Sequence, residues 1–430
     1  MAVRKTFYCV LGMIVSLGSL VLIGCHTEQS TVQRNMSPEI PMADVHELAA
    51  GNNAFAFDLY QALSDGEENL FFSPYSISQA LAMTYAGARS ETEQQMADTL
   101  HFALPQERLH PAFNALDLEL ASRSQVSTGA TPEEETEEVA FELHIANAVW
   151  GQEGYSFLPE YLDLLGQNYG AGIRLVDFAQ DGVVEAMNDW ANEETRGRIS
   201  NIVDNIQPDT KLLIANAVYF NALWYLPFDE EDTIEEAFYL LGGSEAKVPM
   251  MHQTASFRYT DGDGYQAIEL PYLGKAVAMV ILLPEADRFH EIEDRLTSEW
   301  MEIVFRDLSK REVILSMPKF GFEAPKILLR GVLSSMGMPD FFSDSADLSG
   351  MDGTRELKFD EIMHKAFIEV NEQRTEAAAV TVSTVIEKGV EMATPPPPVV
   401  MKIDRPFIFL IRDIETDALL FVGRVVDPTQ

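Results

Sequence analysis

The chain has 430 residues carrying 68 acidic and 30 basic side chains, a formal net charge of −38, which excludes nucleic acid as a partner because phosphate binding needs a basic stripe and none is present. Hydrophobic residues make up 47% and charged residues 23%, and no linker or repeat period divides the chain after about residue 44, so disorder is excluded for the bulk and one large domain is expected. The acidity is read as solubility of an exported chain in preference to steering of basic proteases.

At the N-terminus Arg4 and Lys5 precede an apolar run from Phe7 to Ile23, the pattern of an export signal. The run is long enough to span a bilayer, so an uncleaved anchor helix is the competing reading. Its end, Leu22-Ile23-Gly24-Cys25, resembles the lipobox of bacterial lipoproteins. That resemblance implies a signal peptide over residues 1–24 and acylation of Cys25. Each buried CH₂ of an acyl chain contributes about 0.8 kcal/mol, so a multiply acylated Cys25 would hold the protein on a membrane, periplasmic or at the cell surface. Cys9 would leave with the signal. The mature chain then has neither free thiol nor disulfide, and no Cys/His cluster for structural zinc, so no metal or cofactor is expected.

Residues 25–43, rich in Thr, Gln, Ser and Pro, read as a polar tether, with the folded domain spanning 44–430. Leu48, Phe55, Leu59 and Leu63 recur at helical spacing; a second helix from Ser76 carries Ile77, Ala80, Leu81 and Thr84 on one face and stops at Gly87. Ser90 with Glu93 three residues later predicts a capping box for a third helix. Residues 122–139 form a polar, acidic insertion with Pro132-Glu133-Glu134-Glu135, expected to be a mobile surface loop. Phe141 to Trp150 and Lys211 to Trp224 are apolar runs without clean alternation, as in central strands covered on both faces, and a helical stretch from Val183 to Thr195 separates them. Further strands between Val248 and Leu283 are punctuated by turn chemistry at Asp261-Gly262-Asp263-Gly264 and Pro271-Tyr272-Leu273-Gly274. Early helices and later strands make the fold class α+β.

The stretch from Asn371 to Ile386 reads as a strand, yet it lies just upstream of Pro395–Pro398 and has no evident sheet position. Thr375, Ala377, Ala379, Thr381, Ser383 and Val385 give it one small, uncharged face, as needed to slide between packed strands. No GxSxG elbow, GxxxxGK[ST] loop or HExxH pair points to an enzyme. With Asp404-Arg405-Pro406-Phe407-Ile408-Phe409, Asn69-Leu70-Phe71-Phe72-Ser73-Pro74, Ala215-Asn216-Ala217-Val218-Tyr219-Phe220 and His364-Lys365-Ala366-Phe367, this stretch resembles the serpins, a family of protease inhibitors, from about Asp44 to Pro428.

The resemblance implies a serpin fold: many helices around a large central mixed β-sheet, further sheets, and an exposed reactive loop over about 372–398. It implies a suicide substrate, a monomer without catalytic residues, whose cleaved loop inserts into the sheet while a serine protease is still covalently attached. Ser73, Ser76, Asn216 and His364 would form the shutter beneath the parting strands; Trp224 and the pair Lys319–Glu372 the breach at the top. The hinge would comprise Glu372, Arg374, Thr375, Glu376, Ala377, Ala378 and Ala379. Family spacing places the reactive bond at Lys388–Gly389, which suits a trypsin-like pocket; Glu387, Met392 and Ala393 are rival positions. Arg374 stands where inhibitory members usually have glycine, and the arm after Gly389 is long. Those departures motivate the alternative of a non-inhibitory serpin-fold binding protein; a surface hydrolase is a third reading.

Overall fold

The structure, a computed structural model, describes residues 26–28, 30–128, 136–139, 141–372 and 396–430. In chain order the elements are β1 (His26–Glu28), α1 (Met42–Leu63), β2 (Leu70–Phe72), α2 (Pro74–Tyr85), α3 (Ser90–Leu100), α4 (Gln106–Ser122), β3 (Gln125–Thr128), β4 (Thr136–Val139), β5 (Phe141–Gln152), α5 (Pro159–Tyr169), β6 (Ile173–Val176), α6 (Val183–Glu194) and β7 (Leu212–Ala222). The second half is strand-rich: β8 (Ile234–Tyr239), β9 (Glu245–Gly262), β10 (Tyr265–Pro271), β11 (Val277–Pro284), α7 (Phe289–Glu293), α8 (Ser298–Asp307), β12 (Ser309–Pro318), β13 (Phe320–Glu323), β14 (Ile327–Leu328), α9 (Leu329–Met336), α10 (Ser349–Asp352), β15 (Phe359–Val370), β16 (Val399–Lys402), β17 (Phe407–Asp413) and β18 (Leu419–Val425).

The central sheet runs β1-β6-β5-β7-β15-β13, and a second runs β16-β12-β9-β10-β11-β17-β18-β2 with β8 added to β9. Between them lies the main core. Inward residues of β7 (Ile214, Val218, Phe220) and β15 (Ile362, Ala366, Ile368) enter it, while the alternate residues Leu213, Ala215, Ala217 and Met363 pack with α6 residues Met187 and Trp190 in a smaller core on the outer face. Cover on both faces explains why these strands read as unbroken apolar runs.

β5 runs antiparallel to β7, but β15 runs parallel to β7, in register His364↔Asn216 and Phe367↔Tyr219. A strand that followed β15 by a reversal and entered this seam would lie antiparallel to both neighbours, replacing one slanted parallel ladder by two antiparallel ones.

Three local expectations change. Ser90 is the first residue of α3, with Arg89 at the cap position, and its hydroxyl donates to Asp347 Oδ2 at 2.8 Å. A buried carboxylate 257 residues away in sequence thus takes the hydroxyl that a capping box would have used. The acidic insertion is not all loop: β3 and β4 pair antiparallel, from Gln125↔Val139 to Thr128↔Thr136, beside the end of α4. Backbone pairing needs no apolar side chains, so the composition of the segment did not reveal it.

The third is the tether. β1 adds to the edge of the sheet, pairing with β6 from His26↔Leu175 to Glu28↔Ile173. The following segment lies along α5: Ser30 Oγ donates to Asp163, Asn35 N donates to Gln167 O at 2.9 Å, and the Val32 carbonyl would stand 2.9 Å from a Cβ on Gly166. Positions 163, 166, 167 and 170 share one face, on which Gly166 leaves room for the Val32 backbone and Gly170, the cap residue of α5, for the Arg34 side chain. Arg34 then reaches α4, donating to Asn114 Oδ1 at 2.7 Å and pairing with Asp117 at 2.6 Å. Residues 26–28 and 30–35 are therefore part of the fold.

Candidate functional site

The site is the seam between β7 and β15. Ser73 caps α2: its Oγ accepts from Ser76 N at 3.1 Å and donates to Leu420 O at 2.7 Å, and Pro74 at the first helical position needs no donor partner. The cap holds Ser73 N 3.2 Å from His364 Nε2 on β15. Since Nε2 accepts, the proton of the neutral ring sits on Nδ1, which donates to Asn216 Oδ1 on β7. The Asn216 amide donates in turn to Ser76 Oγ and to Asn147 Oδ1 on β5. The structure thus brings Ser73, Ser76, Asn216 and His364 into one hydrogen-bonded cluster that ties both lips of the seam to the end of α2. Burial lowers the His364 pKa to about 3, so the ring is neutral at physiological pH.

Asn147 was not among the residues picked out by sequence. A signal existed: Ile145-Ala146-Asn147-Ala148-Val149 and Ile214-Ala215-Asn216-Ala217-Val218 are the same five residues, and the two segments pair antiparallel with Asn147 opposite Asn216. Asn147 Nδ2 donates to Gln79 Oε1 at 2.9 Å, extending the polar cluster toward Tyr75 and Asp117.

At the top of the seam Trp224 Nε1 donates to Asn371 O at 2.9 Å while its ring stacks on Tyr272, centroids 4.6 Å apart. Glu372, only 4% exposed, accepts from Lys319 Nζ at 2.7 Å and from Thr233 Oγ1 at 2.7 Å. Burial pushes its carboxyl pKa up, but the Lys319 and Thr233 hydrogen bonds outweigh that and the net shift is downward. Trp224, Lys319 and Glu372 are brought together, with Thr233 as a partner that sequence did not indicate. The hinge residues Arg374, Thr375, Glu376, Ala377, Ala378 and Ala379, the reactive bond Lys388–Gly389 and Cys25 lie outside the described residues. The chain resumes in exposed Pro396–Pro398 and enters β16, parallel to β12.

Compared with known families, residues 50–428 match the model of the serpins, serine protease inhibitors. The chain belongs to the serpin family. This serpin is 40% identical to an uncharacterized serpin-like protein of Thermococcus kodakarensis over 87% of this chain and 84% of the other. It is 35% identical to leukocyte elastase inhibitor A of Rattus norvegicus, over 89% of this chain and all of that one. Among solved structures, the native-state crystal structure of the thermophilic serpin tengpin superposes with a TM-score of 0.79 at 27% identity, covering 94% of this chain and 99% of the other. The α+β serpin fold expected from sequence is the fold observed.

Proposed function

We propose that this serpin is a suicide inhibitor of trypsin-like serine proteases, held at a membrane of the exporting cell through acylated Cys25. The observation that carries the reading is the parallel β7–β15 seam, closed by the Asn216–His364 cluster, whose second strand runs straight into Glu372 and the small-faced segment that follows. The resemblance to an elastase inhibitor supports the same activity.

In this mechanism the protease serine attacks the Lys388 carbonyl. The Lys388–Gly389 C–N bond breaks, the new amine leaves with a proton, and Lys388 is held as an ester. The freed arm enters the seam antiparallel to β7 and β15, carrying the esterified enzyme with it. At about 1 kcal/mol net per hydrogen bond, a dozen new ladder bonds release on the order of 10 kcal/mol, comparable with the whole stability of a typical protease domain. Deacylation competes, so the outcome depends on how fast the seam opens.

The test mixes residues 26–430 with trypsin. A complex that survives boiling in detergent, with a released peptide beginning at Gly389, is expected. Nicked serpin with fully active trypsin, repeated with proteases of other specificity, would overturn the proposal in favour of a non-inhibitory binding serpin, the reading that Arg374 favours. The anchor is tested separately in the exporting cell: Cys25→Ser should move the protein from membrane to soluble fractions, and an unchanged distribution would refute acylation.

A further inference from the structure

The outer face of the seam carries a feature outside the shutter and breach. α6 ends at Glu194, and Thr195, fully buried, closes a tight loop: its Oγ1 donates to Ala191 O at 2.7 Å and accepts from Ile199 N at 3.0 Å. The loop sets Arg198 across the seam. Its guanidinium lies 5.5 Å from the ring centroid of Tyr219 on β7 and 5.1 Å from that of Phe367 on β15, and pairs with Glu369 of β15 at 3.4 Å. Tyr219 and Phe367 stand directly opposite each other in the ladder, centroids 5.9 Å apart. One cation thus covers one aromatic ring from each lip.

We infer that Arg198 is a positioning residue of the inhibitory reaction, a staple across the closed seam that sets how fast the loop can insert. This rests on the proposed insertion mechanism. A strand entering between β7 and β15 moves the two rings ~4.8 Å further apart, and its own side chains occupy the space between them. Arg198 then keeps at most one ring. The two-ring contact exists only in the closed sheet, so removing Arg198 destabilises the starting state more than the open state or the inserted product. Arg198 brakes the step that competes with deacylation.

Arg196 provides the control. It lies two residues earlier in the same loop and pairs with Glu142 of β5 at 2.6 Å, touching only one side of the seam. The full 26–430 chain and its R198A, R198K and R196A variants are titrated against trypsin, at a pH and temperature where the parent spends more than about two molecules per enzyme trapped. Deacylation of the same Lys388 ester is common to all four, so the excess consumed reads insertion rate. In R198A the excess should fall about three- to tenfold; in R198K, which has no planar face to cover both rings, about twofold; in R196A it should not change. The thermal midpoint of the nicked, inserted form should fall less in R198A than that of the intact form.

An unchanged or larger excess in R198A, an equal fall in R196A, or a midpoint lowered as much in the inserted form as in the intact form would each overturn the staple. If R198A does not fold, an R198K excess equal to the parent's does so. A parent that forms no complex with any protease would instead refute the inhibitory mechanism, a failure distinct from the staple's.

Discussion

His364 offers a quantitative test of the shutter, because its protonation is incompatible with the bonds it makes. Burial lowers the pKa of His364, and of His110, to about 3, against about 6.5 in an unfolded chain. Between these values the unfolded chain binds the additional proton, so the contribution of each ring to stability is full above about pH 6.5 and is lost as pH falls. For a shift of this size, going from about pH 7 to about pH 5 removes about 2 kcal/mol per ring. His364→Gln deletes one titration while keeping an N–H for Asn216 Oδ1 and an acceptor for Ser73 N. Carboxylates and His110, still bonded to Tyr169, are common to both proteins and cancel in the comparison. Urea unfolding at the two pH values should show the parent losing about 2 kcal/mol more than the variant. Equal losses in the two proteins would refute a neutral, buried His364.

Asn216→Ala leaves His364 Nδ1–H, Ser76 and Asn147 without their partner and should cost about 2–4 kcal/mol, seen as a lower urea midpoint together with a lower stoichiometry of trypsin inhibition as the seam opens more easily. Glu372→Ala removes the acceptor of Lys319 and Thr233 and should cost about 1–2 kcal/mol near neutral pH. That difference should shrink in acid, because a carboxyl with a lowered pKa gives its stability above the unfolded value and loses it as pH falls; a pH-independent difference would refute the pairing. Gly166→Ala would ordinarily stabilise a helix by up to about 1 kcal/mol. Here the new Cβ meets the Val32 carbonyl, so it should instead raise the rate of proteolysis within residues 26–40 at unchanged cleavage elsewhere.

Features governed by near neighbours in the chain were legible from sequence alone. Periodicity marks α1 and α2, continuous apolar runs mark β5 and β7, and Gly264 and Gly274, with φ of 84° and 82°, sit in the turns that their segments signalled. The residues that meet in the polar clusters along the seam were nameable through the family resemblance, though hydrophobic pattern gave no reason to join Ser73 to His364 across 291 positions.

What only the tertiary structure decided depends on register between distant segments. Asn147 acquires its place because β5 and β7 pair antiparallel about the two asparagines. Ser90 turns to Asp347 because a remote loop delivers a buried carboxylate. Residues 26–28 and 30–35 look like a solvated tether because their partners are backbone groups, two glycines and an Asp–Asn pair far along the chain. Arg198, an exposed cation by composition, lies over the seam because Tyr219 and Phe367 meet there. Local sequence sets torsions, caps and amphipathic faces within a few turns; long-range pairing sets which faces and edges meet, and that is the information the seam contains.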